Sequence, residues 1–278
     1  MKRSVVLFTG LLLALLATVT FFSSSRDGAP PVQKLSLVGS STVAPLAAEI
    51  ARRYEQQHPG VEIDVQTGGS GRGINEVRRA LADIGMVSRA LNAAEADLHP
   101  YPIARDGLGI IVHADNPLTH IRHEQVVQVF TGAITSWREL GAGAAPITVV
   151  NKAEGRATLE LFLNYFQLKN SRIRPQVIVG DNEQGIKVVA GNPAAIGYVS
   201  IGVAEHDIAA GTPIKLLALD GVAASRANVA SGRYPLARSL NLVTRAPARG
   251  LARDFIDYAR SNAVHDLVAA QHFLPLVP

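Results

Sequence analysis

Four times along this chain an apolar, strand-like run breaks into a small polar turn rich in Gly, Ser or Thr and then opens a helix-like stretch, at residues 35–45, 61–74, 84–93 and 147–161. The first turn of a helix carries backbone N–H groups without intrahelical partners, and the aligned peptide dipoles add partial positive charge there. Such an end holds an anion without needing many charged side chains, so several ends converging on one point would make a strong oxyanion site.

Further strand-like pieces at 108–112, 196–199, 214–219 and 240–244 interleave with helical patterns. This alternation predicts an α/β architecture with largely parallel sheets. Leu46, Ala47, Ile50, Ala51 and Tyr54 recur at helical spacing behind Pro45, a residue tolerated in a first helical turn. Leu159, Phe162, Leu163 and Phe166 do the same, as do Leu251, Phe255, Ile256 and Ala259, and all three sets are expected to face a core. The extended runs 108–112 and 240–244 lie far apart in sequence and are expected to cross between two lobes. At 278 residues with 47% hydrophobic content the chain can bury a substantial core.

Lys2 and Arg3 precede an apolar run over 5–22, followed by Ser23, Ser24 and Ser25. This reads as a secretory signal; the competing reading is an uncleaved membrane anchor, because the run is nearly long enough to span and the small-residue site is a poor match for Ala-x-Ala. Residues 26–34, with Gly28, Pro30 and Pro31, read as a linker to the globular body. The chain has no cysteine, which removes disulfides, thiolate metal sites and an acylated-cysteine anchor. A net charge of +4 suits anionic partners, but the basic residues are scattered and aromatics are only 5%, so the clustered footprint of a nucleic-acid binder is missing.

The turns differ in chemistry. In Gly39-Ser40-Ser41-Thr42 the glycine permits an unusual backbone and three hydroxyls can donate to an oxyanion; ordinary N-capping explains the same residues. Residues 68–73 hold four glycines around Ser70 and Arg72, which lets the backbone approach a ligand closely. They do not make a nucleotide fingerprint, since the third glycine is misplaced and no Gly-Lys-Ser/Thr follows. Ser88 and Arg89 follow an apolar strand, and a bidentate guanidinium beside a hydroxyl fits a tetrahedral anion. Arg156 and Thr158 repeat that logic at the fourth junction.

With these residues in place, the chain resembles the periplasmic phosphate-binding proteins of ABC uptake transporters, which have the two-lobed type II periplasmic binding-protein fold. The resemblance runs from about Leu35 to the C-terminus. It rests on Gly-Ser-Ser-Thr at 39–42, Gly-Gly-Ser-Gly-x-Gly at 68–73, Asp-Ile-Gly-Met-x-Ser-Arg at 83–89, Arg-Asp-Gly at 105–107 and Tyr-Pro-Leu-x-Arg at 234–238. It implies an α/β protein with a mixed, mostly parallel sheet flanked by helices in each lobe and the ligand in the cleft between. Lobe 1 would comprise 35–110 and 241–278, and lobe 2 would comprise 111–240. It also implies that Ser41, Thr42, Ser70, Ser88 and Arg89 contact the anion, assisted by the backbone N–H groups of Val43 and Gly71. The departure is at the fourth junction, where the family shows Arg-x-x-Gly-Ser-Gly-Thr and this chain reads Lys152-Ala153-Glu154-Gly155-Arg156-Ala157-Thr158.

Phosphate near neutral pH keeps a proton and sulfate keeps none, so a pocket carboxylate would accept from one and repel the other. Asp106 is the candidate, the alternative being that it holds an arginine. The expected function is therefore an exported, non-catalytic binder of inorganic phosphate or a related oxyanion, able to work as a monomer, that serves an ABC permease and needs no cofactor. Two other classes stay open. One is a hydrolase built on Ser70 with His113 and Asp115, although Gly-x-Ser-x-Gly fails at Arg72. The other is an envelope interaction protein that kept the fold and changed its ligand. His120 and His123 offer only two metal ligands.

Overall fold

A computed structural model describes residues 32–276. The signal-like segment 1–25 and linker residues 26–31 lie outside the described residues. From Lys34 onward the chain forms one compact unit. Its strands are β1 (Gln33–Gly39), β2 (Val61–Thr67), β3 (Ile84–Val87), β4 (His99–His113), β5 (His120–Ile121), β6 (Thr148–Lys152), β7 (Val177–Val179), β8 (Ala195–Ser200), β9 (Ile214–Leu216), β10 (Ala218–Leu219), β11 (Ala237–Thr244) and β12 (Leu274–Pro275). Its α-helices are α1 (Ala44–Gln57), α2 (Ser70–Arg78), α3 (His123–Thr131), α4 (Ala157–Tyr165), α5 (Asn182–Ala190), α6 (Ile201–Ala209), α7 (Arg226–Ala230), α8 (Gly250–Ala259) and α9 (His265–Ala270). None of the described helices is long and apolar enough to cross a membrane.

The main sheet runs β2-β1-β3-β11-β4-β8-β6-β7, with β9 and β12 also paired to β4. The outer pairs β1–β3, β6–β8 and β6–β7 are parallel, as strand–helix crossovers require. β4 and β11 pair antiparallel with each other, β11 with β3, and β4 with β8, β9 and β12. At about 3.3 Å per residue β4 is some 50 Å long, and it changes partners midway. Its residues up to Gly107 pair with β11, and those from Leu108 pair with β8. The sheet thus divides into two halves along β4. The chain returns by way of Leu236, whose carbonyl accepts from the Leu108 N–H at 2.9 Å, and Tyr234, whose hydroxyl donates to the Leu108 carbonyl at 3.0 Å.

Each half is a helix–sheet–helix sandwich, and the period-two alternation of its strands feeds both faces. In the second half Ile110 and Val112 join Phe130, Phe162 and Tyr198 under α3 and α4, while Ile111 turns to the other face with Val150, Ile186 and Val189 under α5 and α6. In the first half Leu35 and Leu37 pack with Leu46, Ile50, Tyr54, Phe255 and Ile256 from α1 and α8. Val38, Val87 and Val243 face Ile74 and Val77 of α2 on the other side. The apolar stripe predicted for α1 is buried at all its positions. Leu163 and Leu251 are only half-buried members of theirs. The run 214–219 divides at Leu217: β9 stays with β4, whereas β10 leaves to pair with β5.

Candidate anion-binding site

Helices α1, α2, α4 and α5 all begin at one small pocket. Ser40, Ser41 and Thr42 line it ahead of α1, Gly69 and Ser70 at the start of α2, Arg156, Ala157 and Thr158 at the start of α4, and Gly180, Asp181 and Asn182 at the start of α5. Ser88 after β3 and Lys152 at the end of β6 complete the wall. The space open to the centre of a water molecule is about 10 Å³. That suits one small guest and is far below the size of an organic cofactor site.

Glycines set the approach of these turns. The Gly39 carbonyl accepts from the N–H groups of both Gly68 and Gly69 at 2.9 Å, tying the first turn to the second. Gly69 has φ +93°, and a Cβ there would lie 2.7 Å from the Gly155 carbonyl oxygen. Only glycine lets the second turn meet the fourth this closely. The Gly71 N–H donates to that same carbonyl at 3.2 Å, joining the two halves by backbone alone.

The pocket hydroxyls are polarised toward donation. Ser40 Oγ accepts from the N–H groups of Thr42 (3.1 Å) and Val43 (3.3 Å) and donates to Ser88 Oγ at 3.0 Å. Ser70 Oγ accepts from the Ser88 N–H at 3.2 Å. Thr42 Oγ1 accepts from Asn182 Nδ2 at 3.4 Å, and Thr158 Oγ1 from Arg238 Nη1 at 3.2 Å. Ser88, Ser70, Thr42 and Thr158 therefore each accept one bond from the protein, which leaves each O–H proton to give to a guest rich in acceptors.

Two cations line the same wall. Arg156 makes no ion pair or hydrogen bond through its guanidinium among the described residues, and it lies between the backbones of Gly69 and Gly180. Lys152 is 4% exposed, and its Nζ donates to the Asp181 carbonyl. Burial pushes the Lys152 ammonium down to about 7; Asp181 opposes that shift, and the Arg238 and Arg156 guanidiniums add to it.

Of the residues singled out in the sequence, Ser41, Thr42, Ser70, Ser88, Arg156 and Thr158 come together at the pocket. Val43, Gly71, Arg89 and Asp106 are outside its lining. The Val43 N–H is taken by Ser40, and that of Gly71 by Gly155. Arg89 is clamped by Glu95 at 2.6 and 2.8 Å and its Nε faces Glu160. Burial works against its charge, yet these two carboxylates hold it above the usual arginine range. Of the two roles open to Asp106, it holds an arginine: Oδ2 accepts from Arg238 Nε (3.0 Å) and Nη2 (2.6 Å). His113 does not line the pocket; its Nδ1 accepts from the Asp115 N–H. His123 packs on Tyr165 and Phe166.

The α5 junction was not among the four turns read from sequence. Its signal was present but short: three apolar residues of β7, then Gly180, and Asp181 as an N-cap whose Oδ1 accepts from the Gln184 N–H at 2.8 Å. Conversely, the third junction supplies Ser88 without opening an α-helix; a short 3₁₀ turn, Ala93–Glu95, follows instead.

Known proteins resemble the chain in sequence and fold. The model of the PBP superfamily domain matches residues 24–263. The phosphate-binding protein PstS of Bacillus subtilis (strain 168) is 29% identical over 262 residues, covering 91% of this chain and 85% of that protein. Among solved structures, a Clostridium perfringens protein with bound phosphate, assigned as a phosphate ABC transporter substrate-binding protein, superimposes with a TM-score of 0.81 at 30% identity, over 88% of this chain and 100% of that one. An ABC-type phosphate transport receptor from Vibrio cholerae superimposes with a TM-score of 0.73 at 28% identity, over 88% of this chain and 100% of that one. The chain belongs to the PBP superfamily, within which it groups with these relatives.

Proposed function

We propose that the protein captures inorganic phosphate between its two halves and delivers it to an ABC permease without transforming it. The observation that carries this reading is the convergence of four polarised hydroxyls and two cations where four helices begin. Such a wall is complementary to a compact guest that accepts hydrogen bonds on every side and carries negative charge. The relatives named for phosphate binding, one of them solved with phosphate bound, support the same guest.

Asp181 is the carboxylate of the lining, so the acceptor role considered for Asp106 passes to it. Its carboxylate would accept a hydrogen bond from the proton that phosphate retains and repel sulfate, which has none. A hydrolytic role for Ser70 lacks support, because no histidine lines the pocket to act as its base. Closure of the two halves about β4 and β11 would bury the anion, and the closed form would be what the permease recognises. Residence outside the cytoplasmic membrane, free or tethered by segment 1–25, and action as a monomer complete the reading.

Calorimetry on phosphate-stripped protein tests it. Phosphate should bind with a dissociation constant of about 1 μM or tighter, roughly −8 kcal/mol. Sulfate should bind about a hundredfold more weakly, the cost of a carboxylate facing a second anion with no proton between them. No detectable binding at millimolar phosphate would end the proposal.

A further inference from the structure

Lys152 is a buried lysine in the pocket wall, a cation that can titrate where an arginine would stay charged. Its position makes that consequential. The side chain runs from the end of β6 beneath α5, where a Cβ on Gly185 would lie 3.1 Å from its Nζ. An ammonium has three N–H donors, and the structure gives this one a single protein acceptor, the Asp181 carbonyl. The backbone N–H of Lys152 is held separately by the Tyr198 hydroxyl at 3.3 Å. The charged groups around Nζ are Asp181 and Glu183 from the start of α5, Arg156 from the start of α4 and Arg238 from β11. Arg238 spends much of its charge on Asp106, but Arg156 has no such partner among the described residues. A buried ammonium beside an unpaired guanidinium therefore has only Asp181 and Glu183 as counter-charge, neither of them in an ion pair with it among the described residues, until an anion arrives.

We infer that Lys152 couples anion capture to proton uptake: as a tetrahedral dianion enters the pocket, one proton passes from the solvent buffer onto the Lys152 Nζ. This deepens the phosphate reading above and rests on it. No covalent bond forms or breaks; the neutral amine, a solvent proton and hydrogen phosphate become an ammonium paired with hydrogen phosphate.

The burial that pushes Lys152 down to about 7 sets the pH window. Below that value the ammonium is already charged in the free protein, and binding takes up no proton there. Above it the amine is neutral in the free protein, and the dianion raises its affinity for a proton, so binding takes one up. Phosphate affinity then falls by about tenfold per pH unit above neutrality. An arginine at this position stays charged throughout and removes the slope.

Calorimetry at pH 8.5 in two buffers of different ionisation enthalpy counts the protons, and the ³¹P shift of bound phosphate reports whether the ligand itself gained one. The expected result is close to one proton taken up per phosphate, with the bound ligand still hydrogen phosphate, and a flattened affinity profile from pH 6 to 9 in Lys152→Arg. Zero uptake, uptake onto the phosphate, or the same profile in wild type and Lys152→Arg would overturn the coupling while leaving phosphate capture intact. Should the arginine variant misfold, proton counting and the ³¹P shift on wild type decide alone. Wild type that fails to bind phosphate at any pH would instead remove the capture reading beneath it.

Discussion

Asp106 and Arg238 face each other directly in the β4–β11 ladder, and the partners they take explain why neither lines the pocket. Their side chains are 2% and 1% exposed, and the second carboxylate oxygen accepts from the Gly202 N–H of α6 at 3.4 Å. Arg238 in turn presents Nη1 to Thr158. Removing one member strands a charge that has lost its water, at a cost of about 3–5 kcal/mol. Asp106→Ala should therefore lower the unfolding free energy measured by urea denaturation by that much, and should weaken phosphate binding only through the loss of a fixed Thr158. A loss below about 1 kcal/mol would mean that the pair behaves as a solvated surface bridge. From sequence, Asp106 was visible beside an apolar strand, but its arginine is 132 residues away, so its role could be narrowed to two and no further. The same limit applies to Val43: Ser40, Ser41 and Thr42 are equivalent donors on paper, and only their packing makes Ser40 the one that collects the N–H groups and passes a bond to Ser88.

The junctions themselves were the most legible elements, because glycine and hydroxyl residues between an apolar run and a helical stripe have few other uses. Those leading to α1, α2 and α4 form as expected at the pocket. The start of α5 escaped because a three-residue strand shows no periodicity to count. Where two such turns meet, backbone shape decides function, and two glycines separate the contributions. Gly60 and Gly69 share nearly the same φ, +92° and +93°, but a Cβ on Gly60 meets nothing within 4 Å, whereas one on Gly69 meets Gly155. Alanine at either site should cost about 1 kcal/mol of stability for the left-handed backbone. Only Gly69→Ala should also hold the second and fourth turns apart, weakening phosphate binding at least about tenfold, or about 1.4 kcal/mol. Equal affinities for the two variants in calorimetry would show that the Gly69–Gly155 approach has no part in binding.

Across the whole molecule, the α/β plan could be read from alternation, and the two lobes were implied by the resemblance, but the contacts that join the halves could not be read, since they pair residues remote in sequence. Arg89 is the clearest case. The resemblance put it on the anion, while in the structure its guanidinium is fixed bidentately to Glu95 of its own half, with Nε turned to Glu160 on α4 of the other. That geometry makes it a clasp between halves. Glu160 is about one-third exposed, so its share of the clasp is that of a partly solvated pair, roughly 0.5–1 kcal/mol, or a two- to fivefold change in affinity. Glu160→Gln should weaken phosphate binding by that factor with stability nearly unchanged, because it loosens closure without touching the pocket wall. Arg89→Ala should cost more in stability than in affinity, since it leaves Glu95 buried without its cation. Glu95 is held below the usual carboxylate range because Arg89 and the Asn92 N–H outweigh the burial that would raise it. Its contribution is therefore present above the ordinary glutamate pKa of about 4.3 and is lost as the pH falls through its lower folded value. The wild type should shed stability in that acid window, and Arg89→Ala, already lacking the pair, should shed less. An Arg89→Ala protein that kept full stability yet lost phosphate altogether, alongside a Glu160→Gln protein that bound normally, would move the guanidinium from the clasp to the anion.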